Sequence, residues 1–459
     1  MVSMTVDASH WSERLSLLAD KHGVPGATLA ILADGKITEA AHGVLNQRTG
    51  VEVTTDSLFQ IGSITKVWTA TLVMQLVDEG LLDLDEPVIT YLPTFKVADP
   101  EVTKAVTTRH LLAHTSGIDG DLFLDTGRGD DCVEKYVAAM ADLRQNHPLG
   151  ATMSYCNSGY TVLGRLIEVL RGKSWDVVLK EKLFAPLGLA SAGTLPEEAL
   201  LYRAAVGHVT PPKGEMHVAP MWGIFRSAGP AGLIHATPKE VLAFAQLHLN
   251  DGVTPDGTRV LSPESARAMR EPQVEVPDTY TLGSHWGLGW ILMTWDGHEV
   301  YGHDGGTIGQ SAFMRIVPDA NVAICLLTNG GHTQDLFRDL FGEILGDLAG
   351  IQLPARPEPP ATPPTVDLAR YAGRYARESV EMTFTAADGK LVARTKTMGA
   401  LADALSDGEE PTFDVVPVEG DLFVAKQADD PSWTPVVFFR LPDGSEYVHF
   451  GARATPKVD

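Results

Sequence analysis

A proline-rich segment divides this chain into two parts of unequal length. Residues 353–366, LPARPEPPATPPTV, contain six prolines, and a segment of this kind is an extended, semi-rigid spacer. The division predicts a first domain at 1–352, a linker at 353–366 and a second domain at 367–459. The hydrophobic fraction of 44% is ordinary for globular proteins, so both parts are expected to bury a core.

In the first part, apolar strand patterns lie at both ends and a helical, loop-rich stretch lies between them. An antiparallel sheet fed from both ends of the chain, with a helical insertion, is an α+β arrangement. The predicted elements are a helix near 9–22, strands at 26–35 and 36–44 joined by a turn at Asp34-Gly35, a helix from Ser63 to Gly80, a mostly helical stretch over 105–250, strands at 286–295, 298–303, 310–317 and 321–329, and a helix over 333–349.

The second part alternates apolar and polar residues in short runs and shows no long helical pattern. Six short strands with turn signals between them predict a small antiparallel barrel. No constellation of a nucleophile and a base is evident in this part. The six predicted strands are 380–386, 390–395, 412–418, 421–426, 436–441 and 446–452.

The segment Gly62-Ser63-Ile64-Thr65-Lys66 carries the first candidate for catalysis. A three-residue step on a helix places Ser63 beside Lys66, which brings a hydroxyl within hydrogen-bond reach of a base, as nucleophilic catalysis requires. A lysine acts as a base only where burial or neighbouring cations lower its pKa. The same spacing also arises by chance, as a capping serine followed by a surface lysine, so the motif needs support from other segments.

Two further segments supply polar side chains that such a site uses. Tyr155 and Asn157 lie in MSYCNSGY, where a tyrosine can relay a proton and an asparagine can hydrogen-bond a substrate amide. His303 follows the strand HEVYG and precedes Gly305 and Gly306, and glycines on an edge strand let a substrate backbone approach closely. A packed tyrosine and a hairpin turn are the ordinary alternatives. The order and placement of the three segments together favour a serine acyl-enzyme site.

With these motifs the chain resembles the serine β-lactamase and penicillin-binding protein superfamily, in particular its class C β-lactamase-like branch. The resemblance covers roughly residues 10–350, and the tail, which opens with YAGRY at 371–375, resembles the lipocalin-like appendage of some members. It implies a β-lactamase/transpeptidase-like fold followed by a lipocalin-like barrel. The matching segments are SITK at 63–66, LLAHTSGI at 111–118, YCN at 155–157, SAGPAGLI at 227–234 and HDG at 303–305.

The resemblance implies a role for each motif residue. Ser63 attacks the substrate carbonyl, and Lys66 and Tyr155 share the proton transfers, with the general base left open between them. Asn157 helps to hold Lys66 and the substrate. The backbone N–H groups of Ser63 and Gly306 form the oxyanion hole.

One residue departs from the pattern of the superfamily. His303 stands where many members have the lysine of a K-T-G motif, and a histidine is largely neutral at pH 7 unless its neighbours intervene. The chain is therefore expected to lack a permanent clamp for a substrate carboxylate. This disfavours β-lactamase and D,D-carboxypeptidase activity and favours D-aminopeptidases, esterases and thioester-cleaving members.

Three functions stay open on these grounds. The first is a penicillin-binding-protein-type thioesterase, which releases a nonribosomal peptide by head-to-tail cyclisation at a C-terminal D-residue. Its substrate is a peptide that a carrier protein can deliver as a thioester. The second is a cytoplasmic esterase or D-aminopeptidase, in which water resolves the same intermediate. The third is a binding protein that keeps the scaffold without catalysis. No cofactor is expected for any of them.

Several other residues have patterns that are compatible with a ligand, a reactive thiol or a substrate pocket. His110 and His114 have an i, i+4 spacing that can bind zinc, but no third ligand is evident and core packing is favoured. Cys156 is expected to be a passive thiol, because its side chain points away from those of its neighbours in an extended segment. Aromatic side chains that flank the cleft are equally compatible with an acyl pocket and with the core. They are Trp222, Phe225 and Trp286.

Charge and composition exclude several partners. The formal net charge of −23 gives no electrostatic support for binding nucleic acid. No run of about 18 apolar residues predicts a membrane span, and no secretory signal pattern is evident at the N-terminus. The three cysteines, Cys132, Cys156 and Cys325, suggest no disulfide framework, so a reducing, cytoplasmic location is expected.

Overall fold

The strands from the two ends of the first domain lie side by side at the centre of one sheet. The computed structural model describes residues 6–211, 214–398, 410–426 and 432–459. Gly26–Ala33 pairs with Val322–Thr328, with Leu29 opposite Leu326, which confirms the predicted α+β arrangement. From edge to edge the antiparallel sheet runs Val51–Glu52, Lys36–Asn46, Gly26–Ala33, Val322–Thr328, Ser311–Val317, His298–Gly306, Ile291–Trp295, His285–Trp286 and Val274–Glu275.

Helices cover both faces of this sheet. Ala8–Lys21 and Thr333–Ala349, both predicted, pack on one face through Leu15, Leu340 and neighbouring apolar residues. On the other face lies the helical stretch, built around Thr65–Asp78, which is buried on all sides from Thr65 to Leu76. The α-helices of this stretch are Val88–Tyr91, Pro100–Ala105, Thr108–Leu112, Cys132–Ala139, Asn157–Arg171, Trp175–Leu179, Pro196–Ala199, Gly229–Gly232, Pro238–Leu249 and Pro263–Ala268.

The strand predicted over 286–295 is wrong in its continuity. It consists of His285–Trp286 and Ile291–Trp295, separated by a turn in which the Gly287 N–H donates to the Trp290 carbonyl at 2.8 Å. Gly289 has φ 97°, and a Cβ there would lie 2.7 Å from the Ala70 side chain. The apolar residues of 286–295 predict one continuous strand, but Gly289 instead forms a turn that packs against the helix Thr65–Asp78.

In the described residues of the C-terminal barrel there are eight strands, not the predicted six. The two that the sequence prediction missed are Gly373–Arg377 and Arg453–Pro456, which are 5 and 4 residues long and contain no run of apolar residues. They meet at a bridge between Tyr375 and Lys457, so the antiparallel sheet is nearly closed. The strands follow each other in chain order and are Gly373–Arg377, Val380–Ala387, Lys390–Thr397, Thr412–Glu419, Leu422–Ala425, Thr434–Arg440, Glu446–Phe450 and Arg453–Pro456.

The linker and the barrel both contact the first domain. The linker follows the last helix of that domain, where Arg356 forms an ion pair with Asp335 at 2.6 Å. The turn between the last two barrel strands reaches further, since the Ala452 carbonyl accepts the Tyr155 N–H at 3.0 Å. The barrel therefore touches one of the predicted catalytic segments. Among the described residues, no helix combines the length and apolarity needed to cross a bilayer.

Candidate active site

Ser63 and Lys66 lie next to each other at the start of the central helix. Ser63 sits in a 3-10 turn, Gly62–Ile64, that leads directly into the helix Thr65–Asp78. The Lys66 Nζ atom lies 3.1 Å from the Ser63 Oγ atom and donates to the Ala231 carbonyl at 2.7 Å. Lys66 is fully buried, and this burial, helped by the Arg453 guanidinium, lowers its pKa well below the usual range. A neutral Lys66 can accept the seryl proton.

Two glycines allow the strand His298–Gly306 to approach the nucleophile turn backbone to backbone. A Cβ on Gly305 would lie 1.9 Å from the Ile61 carbonyl oxygen and 3.0 Å from the Ser63 nitrogen. A Cβ on Gly62, where φ is 50°, would lie 2.6 Å from the Gly306 nitrogen. This close packing brings the amide nitrogens of Ser63 and Gly306 to one end of the cavity, the arrangement that an oxyanion hole needs.

Tyr155 lies between Ser63 and the barrel. Its side chain is 8% exposed, and its ring centroid is 4.8 Å from the Lys66 Nζ atom. Burial raises the pKa of the Tyr155 phenol, although its hydrogen bond to Ser63 and the nearby Arg453 guanidinium act in the opposite direction. Tyr155 therefore holds its proton at neutral pH, whereas Lys66 is the group whose pKa is shifted toward deprotonation.

His303 is buried and neutral. Its Nδ1 atom donates to the Asp304 carbonyl at 2.5 Å, and its Nε2 atom has no hydrogen-bond partner among the described residues. Burial, together with the charge that Lys66 carries when it is protonated, lowers the pKa of His303 to about 3. The ring thus carries no charge at pH 7 and cannot act as a permanent carboxylate clamp.

Asn157 makes a different contact from the one that the resemblance implied. Its side-chain amide donates to the Asp121 carboxylate at 3.3 Å, whereas Lys66 donates to Ser63 and to the Ala231 carbonyl. Asn157 is the first residue of the helix Asn157–Arg171. It still lines the cavity around Ser63.

The barrel contributes a guanidinium to the site, which the sequence analysis missed. Arg453 donates to both carboxylate oxygens of Asp121, at 2.8 and 3.2 Å, and its guanidinium carbon lies 5.1 Å from the centre of the Tyr155 ring. Arg377 donates to the same carboxylate. Burial alone would raise the pKa of Asp121, but the two guanidiniums outweigh it and lower the value to about 2. This ionic cluster fixes the barrel against Tyr155.

A cavity of about 590 Å³ opens above Ser63 and is lined mostly by apolar side chains. Phe225 lines it, but two of the aromatic residues considered from the sequence do not. The Trp222 indole N–H donates to the Ala205 carbonyl at 2.8 Å, and Trp286 is fully buried beneath Tyr155 and His303. The apolar lining residues are Leu122, Phe123, Leu124, Met221, Ile224, Phe225, Leu282, Ile291, Ile308 and Phe313.

The other side chains considered from the sequence have separate partners. The His110 Nδ1 atom lies 2.8 Å from the Thr107 hydroxyl, whereas His114 Nδ1 accepts the Cys156 N–H at 3.0 Å. Within the described part of the chain, no three or more His, Cys, Asp or Glu side chains are grouped so as to hold a metal ion. Burial raises the pKa of the Cys156 thiol to about 12, so this cysteine is inert.

This constellation of a serine, a buried lysine and a tyrosine beside an antiparallel sheet agrees with the comparison to known families. The model of the Beta-lactamase family matches residues 12–347. The chain belongs to the beta-lactamase family. Members of this family are serine hydrolases and acyltransferases that work through an acyl-enzyme.

Several relatives extend this assignment. Penicillin-binding protein 4 of Amycolatopsis lactamdurans is 52% identical over 377 residues, which make up 82% of this chain and 99% of that protein. The crystal structure of SurE covers 98% of this chain and 99% of its own, with a TM-score of 0.79 and 29% identity, and SurE has also been solved with D-Leu. An unguisins hydrolase of Aspergillus campestris is 25% identical over 431 residues, 82% of this chain and 78% of that protein.

Proposed function

We propose that the protein takes a peptidyl thioester or ester, forms an acyl-enzyme on Ser63 and releases the peptide by head-to-tail cyclisation. The observation that carries this proposal is the apolar cavity of about 590 Å³ around Ser63. Cavities of about 300–1,000 Å³ hold ligands well above the size of one amino acid. An apolar wall reduces the access of water to the acyl carbonyl, whereas a tethered amine attacks with a high effective concentration.

The proposed proton transfers follow from the two pKa directions. Neutral Lys66 accepts the proton of the Ser63 hydroxyl while Oγ bonds to the carbonyl carbon, and the N–H groups of Ser63 and Gly306 stabilise the oxyanion. The proton then passes to the departing thiolate or alkoxide through Lys66 or Tyr155. In the second half, the incoming amine loses a proton to Lys66 and bonds to the same carbon, and Ser63 leaves with the proton returned to Oγ.

The state of His303 supports an ester or thioester substrate rather than a free acid. A neutral imidazole offers no charge to a terminal carboxylate, so nothing at this position selects a substrate for that group. The structure of SurE with D-Leu supports a D-residue at the acyl position. A carrier protein that presents the peptide as a thioester is the proposed partner.

Hydrolysis of the same acyl-enzyme is the second candidate. The polar part of the cavity wall favours it, since Asn157 and Arg453 line the cavity and groups of this kind can hold an attacking water. The similarity to an unguisins hydrolase also supports it. The activity is then that of an esterase or D-aminopeptidase with a linear acid as product. A non-catalytic binding protein is disfavoured, because binding alone requires no buried lysine 3.1 Å from a serine hydroxyl.

The test uses the N-acetylcysteamine thioester of a linear peptide with a free N-terminus and a C-terminal D-leucine. Wild type and Ser63→Ala are incubated with it, and the products are identified by mass spectrometry. A Ser63-dependent product lighter than the linear acid by one water is expected. The same peptide with an acetylated N-terminus cannot cyclise, so it serves as the matched control and should yield the acid alone.

Each other outcome has a definite meaning. If the free peptide yields the linear acid alone, the protein is a hydrolase and cyclisation is refuted. If neither peptide reacts in a Ser63-dependent way, peptidyl thioesters are not its substrates. The corresponding C-terminal L-leucine thioester measures the stereochemical preference, and we expect it to react more slowly.

A further inference from the structure

His114 occupies an unusual position directly beside Tyr155. It follows the helix Thr108–Leu112, is fully buried and has a left-handed backbone with φ 57°. Its carbonyl oxygen accepts the Ser154 N–H at 2.9 Å, and its Nδ1 atom accepts the Cys156 N–H at 3.0 Å. The residues on both sides of Tyr155 are therefore hydrogen-bonded to one histidine.

The imidazole ring also packs against the phenol ring. The ring centroids of His114 and Tyr155 lie 4.4 Å apart, and the two ring planes make an angle of 31°. The Trp286 ring also contacts the His114 ring, with the centroids 4.7 Å apart and the planes at 72°. On the opposite edge of the Ser154–Cys156 segment, the Ala452 carbonyl accepts the Tyr155 N–H. Tyr155 is thus held through its neighbours, its own backbone and its ring.

Packing alone does not require a histidine here. The Nε2 atom is buried with no hydrogen-bond partner among the described residues, and an unpaired buried polar group destabilises a fold. A left-handed backbone adds strain for a side chain larger than glycine. An apolar residue would leave no buried polar group without a partner. What histidine adds at this position is the hydrogen-bond acceptor at Nδ1.

The charge state of the ring agrees with that role. Burial lowers the pKa of His114 well below the usual range, and the cationic forms of Lys66, His303 and Arg453 act in the same direction. The ring is therefore neutral. Since Nδ1 accepts a backbone N–H, the proton lies on Nε2.

We propose that His114 is a positioning residue that fixes the Tyr155 phenol against Ser63 for proton transfer. The proposal rests on acylation of Ser63 and is independent of whether an amine or water resolves the acyl-enzyme. Displacing a proton-transfer group by about 1 Å slows the chemical step by about a hundredfold.

Two substitutions separate the acceptor from the rest of the side chain. His114→Leu removes the acceptor and keeps apolar volume, whereas His114→Asn keeps an acceptor oxygen close to the Nδ1 position and tolerates a left-handed backbone. The probe is the p-nitrophenyl ester of N-acetyl-D-leucine, which acylates Ser63 without any cyclisation. The measurements are the single-turnover release of p-nitrophenolate, the KM and the melting temperature.

We expect His114→Leu to slow acylation on the order of a hundredfold with KM nearly unchanged, and His114→Asn to recover most of that loss. Equal slowing in both variants, or no slowing in either at temperatures where both are folded, would overturn the proposal. If His114→Leu does not fold, His114→Asn decides alone, and a loss on the order of a hundredfold or more in its acylation rate overturns the proposal. A failure of the cyclisation assay leaves this result unaffected.

Discussion

Replacing Arg453 by glutamine should make Lys66 harder to deprotonate. The guanidinium carbon of Arg453 and the Nζ atom of Lys66 lie 5.1 and 4.8 Å from the centre of the same Tyr155 ring, so the two groups are at most 9.9 Å apart. At an effective dielectric constant of about 20, two positive charges at that separation repel each other by about 1.7 kcal/mol. Removing the charge of Arg453 therefore stabilises the protonated form of Lys66 by about 1.7 kcal/mol.

The expected result is a displacement of the acid limb of the pH–rate profile to higher pH. Lys66 is active when neutral, and its pKa is lowered by burial first and by Arg453 second, so the loss of Arg453 raises that pKa. On the acid limb, acylation by Arg453→Gln should be roughly tenfold slower than in wild type, since about 1.4 kcal/mol corresponds to a factor of ten. At pH values above the limb the two rates should converge.

The assay is the single-turnover release of p-nitrophenolate from a p-nitrophenyl ester over a range of pH. Arg377→Gln is the matched control, because it also removes one guanidinium from Asp121 but leaves the cation that faces Tyr155. It should displace the limb less. A limb that stays in place or moves to lower pH in Arg453→Gln would refute the electrostatic reasoning.

Four further substitutions test the geometry of the site and the barrel. Gly305→Ala should abolish acylation, because its Cβ would lie 1.9 Å from the Ile61 carbonyl oxygen. Gly306→Ala should retain acylation, because its Cβ would meet no atom within 4 Å. Labelling of Ser63, detected by mass spectrometry, compares the two variants. Phe225→Ala should lower kcat/KM for esters of apolar D-amino acids by about 10- to 200-fold relative to the alanine ester, measured in steady state. Phe423→Ala, which empties a fully buried position of the barrel, should lower the free energy of unfolding by about 3–5 kcal/mol in urea titrations.

The local part of the site could be predicted from the sequence. Ser63 and Lys66 are three residues apart at the head of a helix, and helical geometry alone brings them together. Tyr155 and His303 were located by their resemblance to family motifs, because no local rule places residues so distant in sequence beside Ser63. The structure now brings all four side chains to one cavity or to the layer of side chains beneath it.

Arg453 could not be predicted in the same way. It is separated from Tyr155 by almost 300 positions, and it enters the site only because the barrel docks on the first domain. In sequence it lies in a short, irregular run, GARATPKVD at 451–459, that gives no strand signal. The local signal near it is Gly451, two positions before, since glycine is common in turns at strand ends.

The aromatic residues show a related limit. The sequence places Trp222 and Phe225 in one loop beside the cleft. The direction of each side chain, however, depends on tertiary contacts. Phe225 faces the cavity, whereas Trp222 turns to a backbone carbonyl because a buried indole N–H needs an acceptor. The sequence of a loop does not show which of its side chains faces a cavity.

The placement of Arg453 in the last barrel hairpin has a consequence for how the enzyme is made. A ribosome completes the first domain about 100 residues before it reaches Arg453, and at roughly 5–20 residues per second this leaves an interval of about 5–20 s. During that interval the domain can begin to fold around Ser63, but Tyr155 lacks both the cation and the Ala452 carbonyl that later hold it. Both contacts to Tyr155 therefore form only after the barrel has been synthesised and has docked on the first domain.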